Sequence, residues 1–440
     1  MSVISEAQAK KLVSKFLKEK PQYLQGNLAN VLKDNLPKRK AILALTKKYP
    51  TPFYAFDDKA ANNAAQEFKT IFTKAIPNLE IYYAVKSNPC SYLLETVVKN
   101  GLGLDVSSGR ELNFALKAKA KKIVFSGPGK TDSELKLAIA NADKLIIHLD
   151  SFSELKRLGK MLRASKKTIR AGVRVYTKYH DAWTKFGISL TELPEFFELA
   201  KKYPNIDLGG IQCHMSWNQG AEPYQKMLAE IAKAIKKLSL EQRQQIKFID
   251  FGGGYEAHRY EGQFSWATAQ GEVLKTAAEY FGKSINFKDK YYLNQAPKLE
   301  VYAQGIAQAI KKYLDPLISC QYFCEPGRII SYQSMHLILG VVDVKKPGMA
   351  ILDGGNNMLG YELFEEYYYP TINLTRPSNK EIACDLFGSL CTPYDLFGYY
   401  CYAKSIKEGD IIMIPNQGAY TFTLAQDFIK GIPPVYRMRK

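Results

Sequence analysis

The chain has 440 residues, of which 46% are apolar and 12% aromatic, and a formal net charge of +18. That much apolar material excludes a disordered chain and predicts two domains, or one large barrel with an appendage. No apolar run approaches the ~20 residues that span a bilayer, and the N-terminus lacks the uninterrupted apolar core of a signal peptide.

Seven scattered cysteines, with no CxxC pair and an odd total, suit a reducing compartment, so a cytoplasmic protein is expected and no metal site is predicted. The positive charge is partly local. Residues 1–50 carry eleven Lys or Arg against three acids, a net of +8. This basic N-terminal extension could form an amphipathic helix that touches RNA or an anionic membrane. No zinc-finger spacing or RNP aromatic motif accompanies it, so neither nucleic acid nor membrane is the expected partner. Attraction of an anionic substrate or carrier explains the same charge.

In chain order, "TPFYAF" (Thr51–Phe56) reads as a strand that could pair into either domain. "DKAANNAAQEFKTIFTKA" follows as a helix. From residue 80 short β-rich runs alternate with helical patterns: "EIYYAV" (Glu80–Val85), "LGLDV" (Leu102–Val106), "KIVFS" (Lys122–Ser126), "KLIIH" (Lys144–His148), "IRAGVRV" (Ile169–Val175), "LGGIQCH" (Leu208–His214), "IKFIDF" (Ile246–Phe251) and "CQYFCE" (Cys320–Glu325). Eight strands separated by amphipathic stretches predict an α/β fold, a parallel (β/α)8 TIM barrel over residues 51–327. After Arg328 strand-like segments are separated by Gly, Pro, Asn and Asp turns, which predicts a C-terminal antiparallel β-sandwich or barrel over 328–440.

Barrel enzymes build their sites at the carboxyl ends of the strands. Here the first strand ends at Lys86, the second at Asp105 and Ser107, and the fifth contains Arg174. The sixth ends at His214, the seventh at Gly252-Gly253-Gly254, and the eighth at Glu325, followed by Gly327 and Arg328. Singly, each is ordinary: lysines are mostly solvated, a lone histidine is usually a satisfied core or surface group, and glycines at a strand end usually make a turn. Their joint placement is not. A lysine that ends a buried strand is costly unless paired or neutralised, and it is a ready Schiff-base former. A glycine turn lets backbone N–H groups approach a phosphate, and an adjacent arginine adds a bidentate charge. Phosphate, lysine, histidine and carboxylate together describe a site for pyridoxal 5'-phosphate.

The motifs "YYAVKSNP", "GLDVSSGRELNFAL", "FIDFGGGY", "CEPGR", "ILDGG", "LCTPYD" and "GAYTFT" stand in the order found in the fold-type III pyridoxal-phosphate decarboxylases, the ornithine and diaminopimelate decarboxylase family, which the chain resembles from about Thr51 to its end. The resemblance implies that Lys86 forms the aldimine with the cofactor, that His214 stacks on its ring, and that Glu325 holds the pyridine nitrogen protonated. It assigns Gly253, Gly254, Arg328 and Tyr420 to the phosphate, and puts Gly327, Asp105 and Arg174 at the cofactor. It also implies a homodimer in which Cys391 of one chain reprotonates the carbanion in the other's site. Glu325, where related racemases are expected to have an arginine, favours decarboxylation.

The substrate end departs from the family. Diaminopimelate and ornithine decarboxylases carry an acid just after the catalytic cysteine, whereas here Cys391 is followed by Thr392 and Pro393, with Asp395 further on. The family's substrate-binding arginine after the glycine pair has no counterpart, and Tyr361 lies nearby. Thr392, Asp395 and Tyr361 are therefore the candidate substrate-binding residues. The family's phosphate-binding serine is replaced by Trp217, with Ser216 one place early. "LCTPYD" and "ILDGG" resemble a sub-branch of siderophore and antibiotic assembly, which implies a conjugated or carrier-bound amino acid as substrate. The alternatives are a diaminopimelate or other basic amino-acid decarboxylase, with Asp395 or Glu362 supplying the acid, and a catalytically silent regulator.

Overall fold

The computed structural model describes residues 5–18, 28–165, 167–179, 185–257, 262–264, 269–282, 290–292, 296–360 and 367–438. Eight parallel strands close into a barrel: Leu79–Ala84, Gly103–Val106, Ile123–Phe125, Leu145–Leu149, Ile169–Tyr176, Ile206–Gln212, Phe248–Asp250 and Gln321–Cys324. Each pairs with the next and the last with the first, for example Tyr322 with Leu79. All eight overlap the expected strands. Strands buried on both faces read as apolar runs, as Ile123–Phe125 does along its whole length. The helices between them start on side-chain caps, such as Asp57, which accepts the Ala60 N–H, and the Thr131–Glu134 capping box.

The barrel interior is layered, and the layering positions the site. Tyr82, Val124, Ile146, Phe248 and Phe323 form an apolar floor, with the Phe248 and Phe323 rings stacked 4.6 Å apart. Side chains two positions apart on a strand share a face. Two residues beyond Val124, Ile146, Phe248 and Phe323 stand Ser126, His148, Asp250 and Glu325, all buried. A polar layer thus rests directly on the floor.

The second domain is organised by the strand Met335–Lys346, which pairs antiparallel with Met349–Leu352, Ile411–Ile414 and Phe53–Phe56. Glu381–Phe387, Leu396–Tyr402 and Ile372–Asn373 complete a closed, mostly antiparallel barrel. Phe53–Phe56 also pairs in parallel with Val435–Arg437, so "TPFYAF" belongs to the β domain and the barrel segment begins after it.

Within the stretch read as an extension, residues 28–46 pack into the β domain. Val31 and Ile42, on helices Leu28–Asn35 and Arg39–Thr46, are fully buried against Phe53, Ile338, Leu374 and Met413 of the β domain. Lys38 is drawn in as well, 3.3 Å from Asp57 and 3.3 Å from Nε2 of His336. The apolar face of this stretch outweighs its charge. Helix Glu6–Lys18 packs against helix Ala269–Tyr280.

Candidate active site

A cleft of about 320 Å3 opens at the carboxyl ends of the barrel strands, lined by Lys86, His214, Glu325, Arg328 and Tyr420 among others. Lys86 leaves its strand in a short turn, Val85–Ser87, and the β domain holds that turn from above. The Ser87 carbonyl accepts the Tyr420 N–H at 2.8 Å and the Thr423 hydroxyl at 3.2 Å, and Asn88 donates to the Gly418 carbonyl at 2.8 Å. "GAYTFT" is therefore the lid of the lysine turn, and it brings Tyr420 beside Arg328, whose guanidinium lies 4.9 Å from the tyrosine ring.

The Lys86 Nζ donates to Asp105 at 2.8 Å. Asp105 is fully buried and also accepts from the Ser126 hydroxyl. Burial pulls the Lys86 ammonium pKa down, but Asp105, Glu325 and Tyr420 oppose it and the net direction is up. The lysine is thus stabilised by an ion pair, which answers its cost at a strand end in a way the sequence did not specify.

His214 is held at both ring nitrogens. Nδ1 accepts the Gly253 N–H at 3.0 Å, so a neutral ring carries its proton on Nε2, 3.0 Å from the Ser216 hydroxyl. This spends two groups differently from expectation: the Gly253 amide serves the histidine rather than an anion, and Ser216 anchors the ring. The glycine turn is required sterically. A Cβ on Gly253 would lie 2.2 Å from the Glu325 carbonyl oxygen, and one on Gly254, at φ +89°, 2.1 Å from that of Met215. Gly254 and Gly327 line the cleft itself.

Glu325 is buried, 3.3 Å from Nε2 of Gln212 and 3.7 Å from Nδ1 of His214. Burial raises its pKa well above the carboxylate range, and Asp105 and Asp250 add to this against Lys86 and Arg174. Arg174 does not line the cleft. It is buried behind, donating to the Ser126 carbonyl at 3.2 Å with its guanidinium over the Phe186 ring.

The expected substrate residues are not gathered here. Cys391 is exposed on the β domain, outside the cleft of its own chain, and so is the half-buried Thr392. Asp395 departs most clearly. It is buried, and its two oxygens accept the N–H groups of Asn356 at 2.7 Å and Leu390 at 2.6 Å. It ties "LCTPYD" to "ILDGG" as one structural unit and has no carboxylate oxygen directed at a ligand. Tyr361 and Glu362 lie outside the described residues. Sequence reasoning missed His148, Asp250 and Gln212, all buried beside Glu325, and Glu256, which lines the cleft. The two-residue alternation beyond "LII" and "KFI" was the signal for His148 and Asp250.

The donor set fits pyridoxal phosphate. An amine, a buried carboxyl, an imidazole and an arginine beside a close backbone turn surround one cleft. Comparison with known proteins agrees. Residues 62–332 match the pyridoxal-dependent decarboxylase family, in its pyridoxal-binding domain. The chain is 26% identical to a diaminopimelate decarboxylase of Aquifex aeolicus, covering 87% of this chain and 85% of that one. It is 26% identical to 2-[(L-alanin-3-ylcarbamoyl)methyl]-2-hydroxybutanedioate decarboxylase of Staphylococcus aureus, covering 88% and 94%. The crystal structure of diaminopimelate decarboxylase from Helicobacter pylori, complexed with L-lysine, superposes with a TM-score of 0.69 at 27% identity, covering 88% and 91%. With the family's fold and its motif order in place, the chain belongs to the pyridoxal-dependent decarboxylases and is a pyridoxal-phosphate-dependent carboxy-lyase.

Proposed function

We propose that the substrate is an amino acid conjugated to a larger acid, decarboxylated at Cα by a homodimer whose sites are shared between chains. The observation that carries this is Asp395. The acid nearest the expected position is committed to two backbone amides, and Thr392 has no charge. A distal ammonium buried there without a carboxylate would cost about 3–5 kcal/mol by analogy with a broken buried ion pair. Trp217, 57% exposed at the cleft mouth with the Arg328 guanidinium 5.7 Å from its ring, offers a flat apolar wall to a bulkier substituent instead. The Staphylococcus aureus relative, whose name describes an alanine unit carried on a hydroxybutanedioate, is consistent with this reading.

The bound cofactor supplies a ring that takes up the electron pair left at Cα when CO2 departs. Lys86 would attach it, with Asp105 holding the amine until then. Glu325 would keep a proton at the pyridine nitrogen, and His214, its proton fixed on Nε2, would support the ring face. Arg328, Gly254 and Tyr420 would hold the phosphate. Cys391, exposed on the β domain, would return a proton to Cα in the other chain's site.

A second reading has one observation in its favour: Glu256 lines the same cleft and could receive the distal ammonium of a free diamino acid. CO2 release by the cofactor-loaded protein separates the two. Citryl- or glutamyl-conjugated amino acids should be turned over, and free diaminopimelate, lysine and ornithine should not; preference for a free diamino acid overturns the proposal. For the shared site, Lys86→Ala and Cys391→Ala are each expected to be inactive, and mixing them under subunit exchange should restore a substantial part of the activity. No restoration would assign Cys391 to its own chain or to no site.

A further inference from the structure

The polar layer beneath the cleft contains a group that the chemistry above does not use. His148 is fully buried, and among the described residues neither ring nitrogen has a hydrogen-bond partner. Its Nδ1 faces Oε1 of Glu325 at 4.0 Å and its Nε2 faces Oδ2 of Asp250 at 3.9 Å, an oxygen that is likewise unpartnered. Unpaired buried groups are costly, and gaps of 3.9 and 4.0 Å are too short to hold a bridging water, so these three unpartnered atoms and the Glu325 oxygen call for a direct hydrogen-bonded arrangement.

Proton counting narrows the choice. A neutral imidazole has one donor and one acceptor nitrogen. If Nδ1–H donates to Glu325, Nε2 must accept, and Asp250 must carry a proton. If Nε2–H donates to Asp250, Glu325 must carry it. One proton therefore serves both carboxyls, and the tautomer of His148 records which of them holds it. We propose that His148 is a positioning residue that relays the single proton shared by Asp250 and Glu325, freeing Glu325 as the carboxylate opposite the cofactor's pyridine nitrogen. This rests on the assignment of that role to Glu325. The transfer balances: the Glu325 proton passes to Nδ1 while the Nε2 proton passes to Asp250.

The surroundings keep the ring neutral and the carboxyls in competition. Burial lowers the His148 pKa well below its usual value, and Lys130 and Arg174 add to this; the Lys130 ammonium donates to the His148 carbonyl at 2.7 Å and pairs with Glu154 at 2.8 Å. Asp250 is pushed up to about 7 by burial, with Asp105 adding to it and the Gly252 N–H, Glu325 and Lys86 opposing. The buried thiols of Cys213 and Cys324 and the phenols of Tyr255 and Tyr82 also face it. The Gly252 N–H on the other oxygen of Asp250, at 2.8 Å, favours its carboxylate form, whereas Glu325 has only the Gln212 amide at 3.3 Å, so without cofactor the proton rests on Glu325 and His148 is Nε2-protonated.

The experiment is nuclear magnetic resonance of ring nitrogens in full-length protein carrying isotopically labelled histidine, where five histidines make assignment by single substitution practical. His148 should be neutral and Nε2-protonated without cofactor, and Nδ1-protonated once pyridoxal phosphate is bound. In Asp250→Asn the carboxamide NH2 can only donate to Nε2, so Nδ1 should carry the proton in both states. His148→Phe should weaken cofactor binding roughly tenfold, the loss of one hydrogen bond to a charged group. One unchanged tautomer in the wild type, an imidazolium, or an Asp250→Asn spectrum like the wild type's would overturn the relay. Absence of cofactor binding by the wild type would instead overturn the cofactor role of Glu325, while the cofactor-free comparison with Asp250→Asn still decides whether the proton is shared.

Discussion

At Lys86 two effects of opposite sign meet. Burial favours the neutral amine, whereas the Asp105 carboxylate at 2.8 Å favours the ammonium, and the carboxylate side prevails. The lysine must lose a proton before it can attack a carbonyl, so Asp105 makes attachment of the cofactor depend on pH. Asp105→Asn removes the largest opposing charge and leaves burial in place. Covalent attachment, followed by visible absorbance, should then reach half-completion at a lower pH than in the wild type; an unmoved midpoint would mean that the pair does not control the amine. Lys86, Asp105, His214, Glu325 and Arg328 were all legible in the sequence, because each interrupts an apolar pattern at the end of a barrel strand. The direction in which Gly253 spends its amide was not, because it depends on a histidine 39 residues away.

Elements explain why these side chains converge. Four of the barrel strands contribute an apolar residue to the floor and, two positions on, a polar one to the layer above. The turn after Phe248–Asp250 then runs so close to Glu325 and His214 that no side chain fits at its centre. Gly253→Ala, whose Cβ would sit 2.2 Å from the Glu325 carbonyl oxygen, should cost about 1–3 kcal/mol in denaturant unfolding and lose measurable cofactor affinity. Retained affinity at wild-type stability would show that the turn can move aside. The short strand Phe53–Phe56 belongs to the element scale too. Four buried residues fix that it is a strand but not its neighbour, and its pairing with Ile338 and Val435 was out of reach of local pattern.

For the whole molecule, the β domain, residues 36–38 and the start of the barrel segment meet at a buried histidine. His336 accepts the Asn416 N–H at Nδ1 and lies between Lys38 and Asp57. Burial, with Lys38 adding to it and Asp57 opposing, holds its pKa down from the usual 6.5 to about 4. Between these values the unfolded chain binds a proton that the folded chain does not, so stability falls as pH drops from 6.5 to 4. The shift corresponds to about 3 kcal/mol at 1.36 kcal/mol per pKa unit. His336→Gln should flatten that limb of a stability-against-pH curve measured by denaturant unfolding, and an unchanged limb would remove His336 from the linkage. The sequence by itself determined the eight strands, the lysine, histidine, glutamate and glycine turn of the site, and hence the cofactor chemistry, because period, turn residues and charge at strand ends are local properties. Only the tertiary structure decided that residues 28–46 are core rather than extension, that Asp395 is spent on its own loop, and that His148 lies between two carboxyls. Each of these depends on which distant atoms share a buried space, and burial sets both the cost of an unpaired group and the partner that relieves it.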